Sequence, residues 1–522
     1  MDSDAQQLLS ALQNPQLYNH AVTKIELIET HISWVILTGP YAYKIKKPVD
    51  LGFLNFSTLA HRKHYCELEL SLNRRLAPDY YLEVITITGS YHHPLLNGDG
   101  AAIEYALKMV QFPQEAELDK ELAAGKLDES SMDLLAEKVS DFHQKISVAN
   151  KSQTFGDLDH VHQPVLNCYS DILKRVNENE IINRVKALRS WSCSEFENLK
   201  TVFLSRKETG FVRECHGDLH LRNIAIVDDE VIAFDCIEFN EDLRWNDVIS
   251  ECAFLIMDLD AHQNSELGSR FLNRYLELTG DYLGLKVLRY YLVYRAIVRA
   301  MVSCIRFSQE DIDESESTSE YAEFVKYIDL AQRYIDTQQS KLFITHGLSG
   351  SGKTTVSQIL LQVYPAIRVR SDIERKRMWG VKERQRDKQD FQQGIYSATS
   401  SEQTYQILLT FAEQLLLAGF SVIVDATFLK SQQRDMFRKL AESINVDYTI
   451  LHCYAPLNVM QNRIVQRSKD DKDASDADLI VLEYQRRQVE KFTEEEDKFV
   501  IEINTEVKIT EFDFLKKIGE IY

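Results

Sequence analysis

The sequence lacks paired cysteines and long apolar runs, and we expect no export signal at its N-terminus. Its eight cysteines are scattered singly, with no CxxC pair and no histidine cluster at zinc spacing, which indicates reduced core thiols. The most apolar stretches, 253–257 and 287–305, are too short or are interrupted by arginines, so neither predicts a membrane span. Residues 1–15 contain two aspartates and no basic region ahead of an apolar one. We therefore expect a cytoplasmic protein with no membrane partner.

Positive charge is also scarce. The chain carries 60 Lys and Arg against 80 Asp and Glu, a net charge of −20. A surface of that sign repels polyanions, which excludes a general DNA- or RNA-coating protein but leaves room for a local basic groove. The 522 residues, 44% of them hydrophobic, have an ordinary globular composition and suffice for roughly two to four domains.

An acidic segment marks the approach to a predicted domain boundary. Residues 308–320, SQEDIDESESTSE, are acidic or small and polar, which predicts a solvated segment. A helical pattern follows, and an apolar strand begins at residue 341, so we divide the chain into domains 1–340 and 341–522. The second domain holds 26 Lys and Arg against 27 Asp and Glu, so a net charge of −19 belongs to the first. We find no internal repeat, and the two domains are expected to be different folds.

The second domain opens with a strand, a glycine-rich loop and a helix. Residues 341–346 are β-prone, GLSGSGKT follows at 347–354, and apolar residues then recur at helical spacing. Glycines let backbone N–H groups wrap phosphates, Lys353 reaches the β and γ oxygens, and the Thr354 hydroxyl ligates Mg²⁺. The motif predicts a nucleotide-binding P-loop, with Lys353 also catalytic. Its expected nucleotide-binding residues are Gly347, Leu348, Ser349, Gly350, Ser351, Gly352, Lys353, Thr354 and Thr355.

Two carboxylates follow the next predicted strands. Strand 366–370 precedes Asp372 and strand 421–424 precedes Asp425, so both lie at strand C-termini, where ligands bind in parallel α/β sheets. An acceptor hydroxyl loses a proton during phosphoryl transfer, and Asp372 is our choice of catalytic base; the alternative is a helix N-cap. Asp425 is expected to hold the magnesium shell or to orient the acceptor, or simply to cap its strand.

Two arginines and a basic segment complete the predicted second site. Arg463 and Arg467 lie four residues apart on a predicted helix ahead of the polar segment 468–478, which we expect to be a lid that brings both catalytic arginines to the transferred phosphoryl group. The alternative is a solvated helix face. Residues 368–388 contain nine basic and four acidic residues, which favours an anionic acceptor.

GLSGSGKTT, RSDIERK, VIVDATF and NRIVQR resemble the P-loop kinases grouped with polynucleotide 5′-kinases and zeta-type toxins. The resemblance covers essentially all of 341–522 and implies a P-loop NTPase domain with a parallel sheet. Members of that group phosphorylate nucleic-acid ends, sugars, antibiotics and nucleotide sugars, so the acceptor stays open.

In the first domain, a loop with an aspartate and an asparagine precedes a predicted hairpin. CHGDLHLRN at 215–223 is followed by two β-prone runs around an acidic turn and then by Asp235. In the protein-kinase scheme, one aspartate accepts the hydroxyl proton, an asparagine five residues later binds magnesium, and a second aspartate chelates the metal. Asp218 matches the catalytic base, and Asn223 and Asp235 match the metal ligands.

Upstream strands predict a lysine that binds phosphate. Three β-prone segments between residues 22 and 46 place Lys44 in mid-strand. Its acidic partner is expected on the next helix, where Ser57 is the predicted N-cap and Glu69 shares the apolar face. Nucleotide binding in this domain is therefore assigned to Lys44 and Glu69. The alternatives are Glu67 for the glutamate and Lys46 or Lys47 for the lysine.

HGDLHLRN together with FDCIEFNEDLRWNDV resembles the aminoglycoside and fructosamine phosphotransferase family, in particular its subgroup fused to P-loop kinases. The resemblance spans about 20–305 and implies a bilobal protein-kinase-like fold, ATP with magnesium, and transfer to a small-molecule hydroxyl or amine. The sequence departs from the family at residues 30–33, THIS, where a glycine-rich loop is absent, and at Arg222, where glycine is frequent. Glu238 could join the metal shell or lie on the surface.

The predicted fold class is therefore α/β and α+β, with an N-terminal bilobal protein-kinase-like domain followed by a C-terminal P-loop NTPase domain. The predicted function is a bifunctional ATP-dependent phosphotransferase that uses ATP and Mg²⁺ and acts on small-molecule acceptors. One alternative is a regulatory protein whose N-terminal domain binds nucleotide and gates the P-loop domain. The other is a nucleic-acid end kinase in the C-terminal domain, which the net charge disfavours.

Overall fold

The chain forms two compact units. A computed structural model describes residues 3–50, 52, 54–309, 313–336, 339–381, 398–467 and 478–507. The first unit comprises 1–182, 196–258 and 295–308, and the second comprises 183–195, 259–294 and 309–522. The second unit thus includes segments that precede residue 340 in the sequence. The domain boundary at residue 340 stays a prediction. Within the described residues, no helix has the length and apolarity needed to cross a membrane.

The first unit begins with a six-stranded antiparallel sheet. The strands are ordered β1-β2-β3-β6-β4-β5, and the helix α2 follows β3 in the chain. Its apolar face is covered by α1, whose buried leucines pack against residues of β2, β3, β4 and β6. The bounds are α1 (Ser3–Leu12), β1 (Glu26–Glu29), β2 (Ser33–Leu37), β3 (Tyr41–Lys46), α2 (Leu59–Asn73), β4 (Tyr81–Gly89), β5 (Pro94–Leu96) and β6 (Glu104–Val110).

One local prediction in this sheet region is wrong. Ser57 was the expected N-cap of α2, but the cap is Thr58, whose side-chain oxygen accepts a hydrogen bond from the His61 N–H. Threonine and serine cap equally well in chemical terms, so the sequence alone left a one-residue ambiguity. The shift does not alter which face of α2 carries Glu69, because that face is set by burial along the helix.

A helical region with one short hairpin and one further pair of short strands follows. The hairpin β8–β9 directly follows the loop that holds Asp218 and Asn223, and β7 pairs with β10 on the other side of that loop. Segments of α6, α8 and α10 belong to both units. The bounds are α3 (Leu118–Ala123), α4 (Glu129–Lys145), α5 (Leu158–Leu173), α6 (Asn179–Glu208), β7 (Val212–Glu214), β8 (Ile224–Val227), β9 (Glu230–Ala233), α7 (Glu241–Arg244), β10 (Trp245–Asp247), α8 (Val248–Ala261), α9 (Ser265–Thr279), α10 (Leu285–Phe307) and α11 (Glu314–Ile335).

The second unit contains a five-stranded parallel sheet in the order β12-β13-β11-β14-β15. Its central strands β11 and β13 contain continuous apolar runs, as expected when helices cover both faces of a parallel sheet. The bounds are β11 (Lys341–His346), α12 (Lys353–Val363), β12 (Ala366–Arg370), α13 (Ser371–Met378), α14 (Ala398–Leu417), β13 (Ser421–Asp425), α15 (Ser431–Ile444), β14 (Asp447–Tyr454), α16 (Leu457–Arg467), α17 (Leu479–Gln488), α18 (Glu494–Asp497) and β15 (Val500–Asn504).

The edge strand β12 is covered by α9, which belongs to the same unit although it precedes residue 340. The buried Asn273 side chain accepts from the Arg368 N–H at 2.7 Å and donates to the Ala366 carbonyl at 3.1 Å. One carboxamide thus satisfies two of the backbone groups that this edge strand leaves open. Glu277, one turn further along α9, accepts from the Arg368 guanidinium at 2.7 and 3.0 Å.

Candidate functional site

The loop between β7 and β8 brings the first predicted base and metal ligand together. The Asn223 amide donates to the Asp218 carboxylate at 3.0 Å and to the Asp218 carbonyl at 2.9 Å. About a third of the Asp218 side chain is exposed, so its carboxylate is open to a ligand while Asn223 holds the loop closed. Asn223 can reach Asp218, five residues earlier, because the 3₁₀ turn Leu221–Asn223 brings the chain back toward it.

The backbone of this loop is held from behind by buried side chains. Glu251 on α8 accepts from the N–H groups of His216 and Gly217 at 3.1 and 2.9 Å. His216 contacts the Phe234 carbonyl through Nε2 at 2.8 Å and accepts from the Asp218 N–H through Nδ1. Burial lowers the pKa of His216, which keeps the ring neutral and suited to this pair of contacts. Asp247 caps α8 by accepting from the Ile249 N–H, and its two carboxylate oxygens pair with the Arg206 guanidinium.

Electrostatics keep Asp218 ionised. Burial tends to raise the pKa of this carboxyl, but the His220 ring, 3.3 Å from Oδ2, and the charge of Arg299 lower it more. The net pKa of Asp218 therefore lies well below its ordinary value. A carboxylate that stays charged at neutral pH can accept a proton from a hydroxyl group.

Lys44, Glu69 and Asp235 meet in space. The Lys44 ammonium donates to Glu69 at 2.8 Å and also pairs with Asp235, which lies just after the β8–β9 hairpin. Asp235 has φ of +64°, an uncommon backbone conformation for a residue other than glycine, and half of its side chain is exposed. Burial tends to lower the pKa of Lys44, but these two carboxylates raise it well above its ordinary value.

A second lysine of β3, which the sequence analysis gave only as an alternative to Lys44, joins this cluster together with it. Lys46 lies two residues beyond Lys44, on the same strand face, and donates to the other oxygen of Glu69 at 2.6 Å. It also pairs with Glu238, and all three side chains are at most 4% exposed. Glu238 therefore faces Lys46 inside the protein, and its pKa is raised by burial.

The remaining alternatives for the pair lie elsewhere. Lys47 faces away from the cluster, pairs with Glu29 at 2.6 Å and lies over the Trp34 ring. Glu67 is mostly exposed and lies 3.8 Å from Lys63. The structure thus brings Lys44 rather than Lys47 to Asp235, and pairs it with Glu69 rather than Glu67.

The donor set of this first cluster fits a magnesium-bound nucleotide. The Asn223 amide oxygen and the exposed Asp235 carboxylate are oxygen ligands, the type that Mg²⁺ prefers. The ammonium of Lys44 is nearby, as a phosphate-binding cation must be. Among the described residues, one group of three other metal-ligating side chains lies close together: His143, Cys215 and Glu251. Its glutamate is already used by the loop amides, so we interpret the group as structural.

The P-loop of the second unit needs its glycines. Gly347, Gly350 and Gly352 have φ of +147°, +79° and +88°, values that L side chains rarely adopt. A Cβ at Gly347 would lie 2.3 Å from the Cys453 carbonyl oxygen, and one at Gly350 would lie 2.7 Å from that of Met460. The loop thus leads into α12, whose first N–H groups have no intrahelical acceptors, so the geometry fits a bound phosphate.

Lys353, Thr354 and Thr355 begin α12, and Asp425 ends the neighbouring strand β13. The Lys353 ammonium donates to the Leu348 carbonyl at 2.8 Å, and burial lowers its pKa. Asp425 is buried, and its carboxylate accepts hydrogen bonds from the hydroxyls of Thr345 and Ser357, each at 3.3 Å. Hydroxyl and carboxylate oxygens at this edge of the sheet also fit Mg²⁺.

Asp372 lies in the first turn of α13, after β12. The helix begins at Ser371 with Arg370 as its N-cap residue, so the alternative of Asp372 as N-cap does not apply. Its carboxylate pairs with Arg375 at 3.2 Å and is 30% exposed. The charge of Asp372 also acts on Lys353, together with that of Asp425. Asp372 thus faces the same region as the P-loop lysine.

The two arginines of α16 differ. Arg463 donates to the Gly350 carbonyl at 3.2 Å and to Thr505 through two nitrogens. Arg467 ends α16, and its charge contributes to lowering the pKa of Lys353. Of the predicted lid, residues 468–477 lie outside the described residues. The roles of both arginines in transfer stay predictions.

In the described part of the predicted basic segment, several of the arginines form ion pairs with carboxylates of the same unit. Arg368 is buried against Glu277, and Arg377 pairs with Glu374 and donates to the Glu277 carbonyl. Residues 382–388 of that segment lie outside the described residues. The excess of basic residues seen in the sequence therefore does not translate directly into a positive surface, because neighbouring carboxylates from α9 and α13 neutralise part of it.

Three side chains that contact the P-loop region carried no motif signal. The Gln485 side chain on α17 accepts from the Ser349 N–H at 2.8 Å. Thr505, after β15, donates to the Ser351 carbonyl at 2.8 Å. His346 ends β11 directly ahead of the loop and contacts His452 at 2.8 Å, and burial lowers its pKa to about 2. Only its position before Gly347 could have singled out His346.

Comparisons with known proteins found a family model for the second part of the chain and relatives that match most of its length. A family model described as an AAA domain matches residues 342–492, a range that includes the P-loop, Asp372 and Asp425. Relatives named uncharacterized protein Mb2027c of Mycobacterium bovis and uncharacterized protein Rv2004c of Mycobacterium tuberculosis are each 30% identical over 466 residues. Each match covers 87% of this chain and 89% of the relative.

Solved structures match each part of the chain at low identity. An amicoumacin kinase in complex with AMP-PNP and Ca²⁺ is 13% identical, covers 63% of this chain and 94% of its own, and has a TM-score of 0.40. The APS kinase CysC of M. tuberculosis, in complex with AMPPNP and APS, is 18% identical, covers 35% of this chain and 97% of its own, and has a TM-score of 0.25.

The resemblances and the fold class predicted from the sequence are confirmed. The solved structures that match the N-terminal region include an aminoglycoside 2′-phosphotransferase and a choline/ethanolamine kinase family protein, which are 12% and 11% identical to this chain. The C-terminal region is a P-loop kinase fold with a five-stranded parallel sheet.

Proposed function

This chain belongs to the family of the mycobacterial proteins Mb2027c and Rv2004c, and on that premise we propose that it is a bifunctional ATP-dependent phosphotransferase. Each kinase-like fold has its own phosphotransfer site. The first site comprises Lys44, Glu69, Asp218, Asn223 and Asp235. The second comprises the P-loop with Lys353 and Thr354, together with the carboxylates Asp372 and Asp425.

One observation carries the proposal for the first site. Lys44, which is 191 residues from Asp235 in the chain, contacts both that aspartate and Glu69, and Asn223 is bonded to Asp218 five residues away. A base, a metal-ligand pair and a phosphate-binding lysine are the parts that phosphoryl transfer requires. A fold that had lost activity would have no physical need to retain all of them, which weighs against the purely regulatory alternative.

Magnesium-bound ATP supplies the transferred phosphoryl group and neutralises the charge that develops on it. At the first site, Asn223 and Asp235 would hold the metal and Lys44 the phosphates. At the second site, the P-loop amides and Lys353 would hold the phosphates, with Thr354 and Asp425 near the metal. These assignments rest on the oxygen donor sets and the glycine geometry described above.

The bases act on the acceptor. Asp218 stays ionised and partly exposed, so it would accept the hydroxyl proton as the acceptor oxygen attacks. Asp372 would do the same in the second site, where Arg375 orients its carboxylate. We propose small-molecule hydroxyl compounds as the acceptors of both sites, because both resemblances include kinases of small molecules.

The test is transfer of label from γ-labelled ATP into the small-molecule and RNA fractions of a cell extract. The intact chain is compared with Asp218→Asn and Lys353→Ala, and with the exposed-residue controls Asp229→Asn and Lys439→Ala. We expect each active-site variant to lose one set of labelled products by about 10²-fold or more, since a base or phosphate ligand is removed. The control variants keep both sets.

The outcomes separate the candidate functions. Products that disappear with only one of the two variants assign an acceptor class to one site. Label in RNA that is lost with Lys353→Ala would favour the end-kinase alternative for the second site. Binding of ATP without any transfer by the intact chain would support the regulatory alternative and overturn the proposal.

A further inference from the structure

The outer turn of the P-loop is held by residues outside the glycine-rich motif. The Arg463 guanidinium donates through one nitrogen to the Gly350 carbonyl at 3.2 Å and to the Thr505 hydroxyl at 2.9 Å, and through the other to the Thr505 carbonyl at 2.6 Å. The Thr505 hydroxyl in turn donates to the Ser351 carbonyl at 2.8 Å. A threonine hydroxyl can accept and donate at once, so Arg463 and Thr505 form one connected network with two P-loop carbonyls.

This network has a directional effect on the loop. In a trans peptide, the C=O and the following N–H point in opposite directions. When Thr505 holds the Ser351 carbonyl outward, the Gly352 N–H is directed to the opposite side, ahead of the first N–H groups of α12. Close packing reinforces this orientation, because a Cβ at Gly352 would lie only 3.0 Å from Thr505.

The contacts of Arg463 also differ from what a phosphoryl-binding arginine would make. Both terminal nitrogens are engaged by the loop backbone and by Thr505, so its hydrogen bonds go to the protein rather than toward a ligand. Thr505 is itself fixed, because its N–H donates to the Tyr454 carbonyl at the end of β14. Arg463 and Thr505 thus tie α16 and the end of β15 to the P-loop.

We propose that Arg463 and Thr505 form a clamp that holds the P-loop in its phosphate-binding conformation. Arg463 is then a positioning residue of the second site, not a group that contacts the transferred phosphoryl. The inference rests on the proposed function of that site as a nucleotide-binding P-loop. It replaces the role that the sequence suggested for Arg463, while the role predicted for Arg467 is unchanged.

The test measures binding of three probes to the full-length chain: ADP, the non-hydrolysable analogue AMP-PNP, and inorganic tripolyphosphate, each with magnesium. The second-site component is the binding that Lys353→Ala removes. The variants are Arg463→Ala, Thr505→Val, the double variant and Thr505→Ser. Arg438→Ala, which removes a surface arginine paired with Asp435 and Glu442, is the matched control.

We expect Arg463→Ala and Thr505→Val each to weaken all three probes by the same factor, about ten- to hundredfold, since a charged or coupled hydrogen bond is lost. The double variant should be little weaker than the worse single variant, because the two residues act through one network. Thr505→Ser, which keeps the hydroxyl, should recover most of the affinity lost in Thr505→Val.

Other results would overturn the clamp. Weakening of AMP-PNP but not ADP would mean that Arg463 contacts the γ-phosphoryl group. Weakening of both nucleotides but not tripolyphosphate would mean that it contacts the nucleoside. Unchanged binding of all three probes would remove Arg463 from nucleotide binding altogether. The proposed function fails separately, if Lys353→Ala leaves the nucleotide stoichiometry of the intact chain unchanged.

Discussion

At the scale of single residues, the first site depends on a cluster of buried charges. Each carboxylate oxygen of Glu69 accepts a hydrogen bond from one lysine, Lys44 or Lys46. Lys44 also forms an ion pair with Asp235, and Lys46 forms one with Glu238. Buried ions are tolerated only when every member has a partner, so removing one leaves an uncompensated charge. The cluster therefore couples the position of Asp235 to residues that do not touch a ligand.

The two acidic residues after the β8–β9 hairpin should differ in their effect on metal binding. Asp235→Asn removes an exposed carboxylate and is expected to raise the Mg²⁺ concentration for half-maximal ATP binding by about tenfold or more. Glu238→Gln removes a buried partner of Lys46 and should instead lower the unfolding free energy by about 1–3 kcal/mol. Magnesium titrations of ATP binding and urea unfolding measure the two effects. An equal Mg²⁺ shift in both variants would place Glu238 in the metal shell.

The pKa of Asp218 should depend on His220. The carboxyl has its pKa held below the ordinary value, so it is already ionised throughout the neutral range. The substitution His220→Asn removes the interaction that lowers the pKa of Asp218, while the burial that raises it remains. The pKa of Asp218 should therefore rise. Because the base must be ionised, first-site activity should then fall at a higher pH than in the intact chain when the solution is acidified. The pH profile of first-site kcat/KM, measured in the Lys353→Ala chain, checks this. An acidic limb that does not move would exclude His220 as the cause.

At the scale of elements, the second unit depends on helices that sequence motifs do not mark. The helix α9 covers the edge strand β12 through Asn273 and Glu277, and the helices α16 and α17 contact the P-loop through Arg463 and Gln485. An uncovered edge strand would present open backbone groups, and an unsupported glycine-rich loop would be free to change conformation. These contacts explain how a short motif acquires a single conformation.

Asn273→Ala tests the cover on β12. It leaves the Arg368 N–H and the Ala366 carbonyl buried without their partner, which should lower the unfolding free energy of the second unit by about 2–5 kcal/mol. Hydrogen exchange at the β12 amides should accelerate accordingly. Gln466→Ala, at an exposed position of α16, serves as the control. Exchange that is equally slow in Asn273→Ala and the intact chain would contradict the cover.

At the scale of the whole molecule, the charge is unevenly divided. Residues 1–340 carry a net charge of −19 and residues 341–522 only −1. An acidic domain attracts cations over a Debye length and repels anions, which favours cationic acceptors for the first site. The charge does not select one compound, but it does predict how association responds to salt.

The first site should use cationic hydroxyl acceptors such as aminoglycosides, and its kcat/KM for them should depend on salt concentration. In the Lys353→Ala chain, raising KCl from about 0.05 M to about 0.5 M screens the attraction and should lower kcat/KM several-fold, with kcat much less affected. A neutral sugar acceptor is the reference compound. Faster use of anionic acceptors, or a kcat/KM independent of salt for the cations, would contradict this expectation.

The sequence by itself determined the fold class of each part of the chain and predicted most of the residues of the two candidate sites. The P-loop and the loop from Cys215 to Asn223 are contiguous motifs, in which residue type and spacing specify a backbone conformation over a few residues. Strand periodicity likewise placed Lys44 in β3, and strand ends placed Asp372 and Asp425 at one edge of a parallel sheet.

Only the tertiary structure decided which distant charges meet. Lys46 and Glu238 are 192 residues apart, Arg463 and Thr505 are 42 apart, and Asn273 reaches β12 from 95 residues upstream. Periodicity indicates which face of an element a side chain occupies, but not which other element will pack against that face. A buried ion pair or backbone contact of this kind forms because folding removes both partners from water together, and no local pattern records that event.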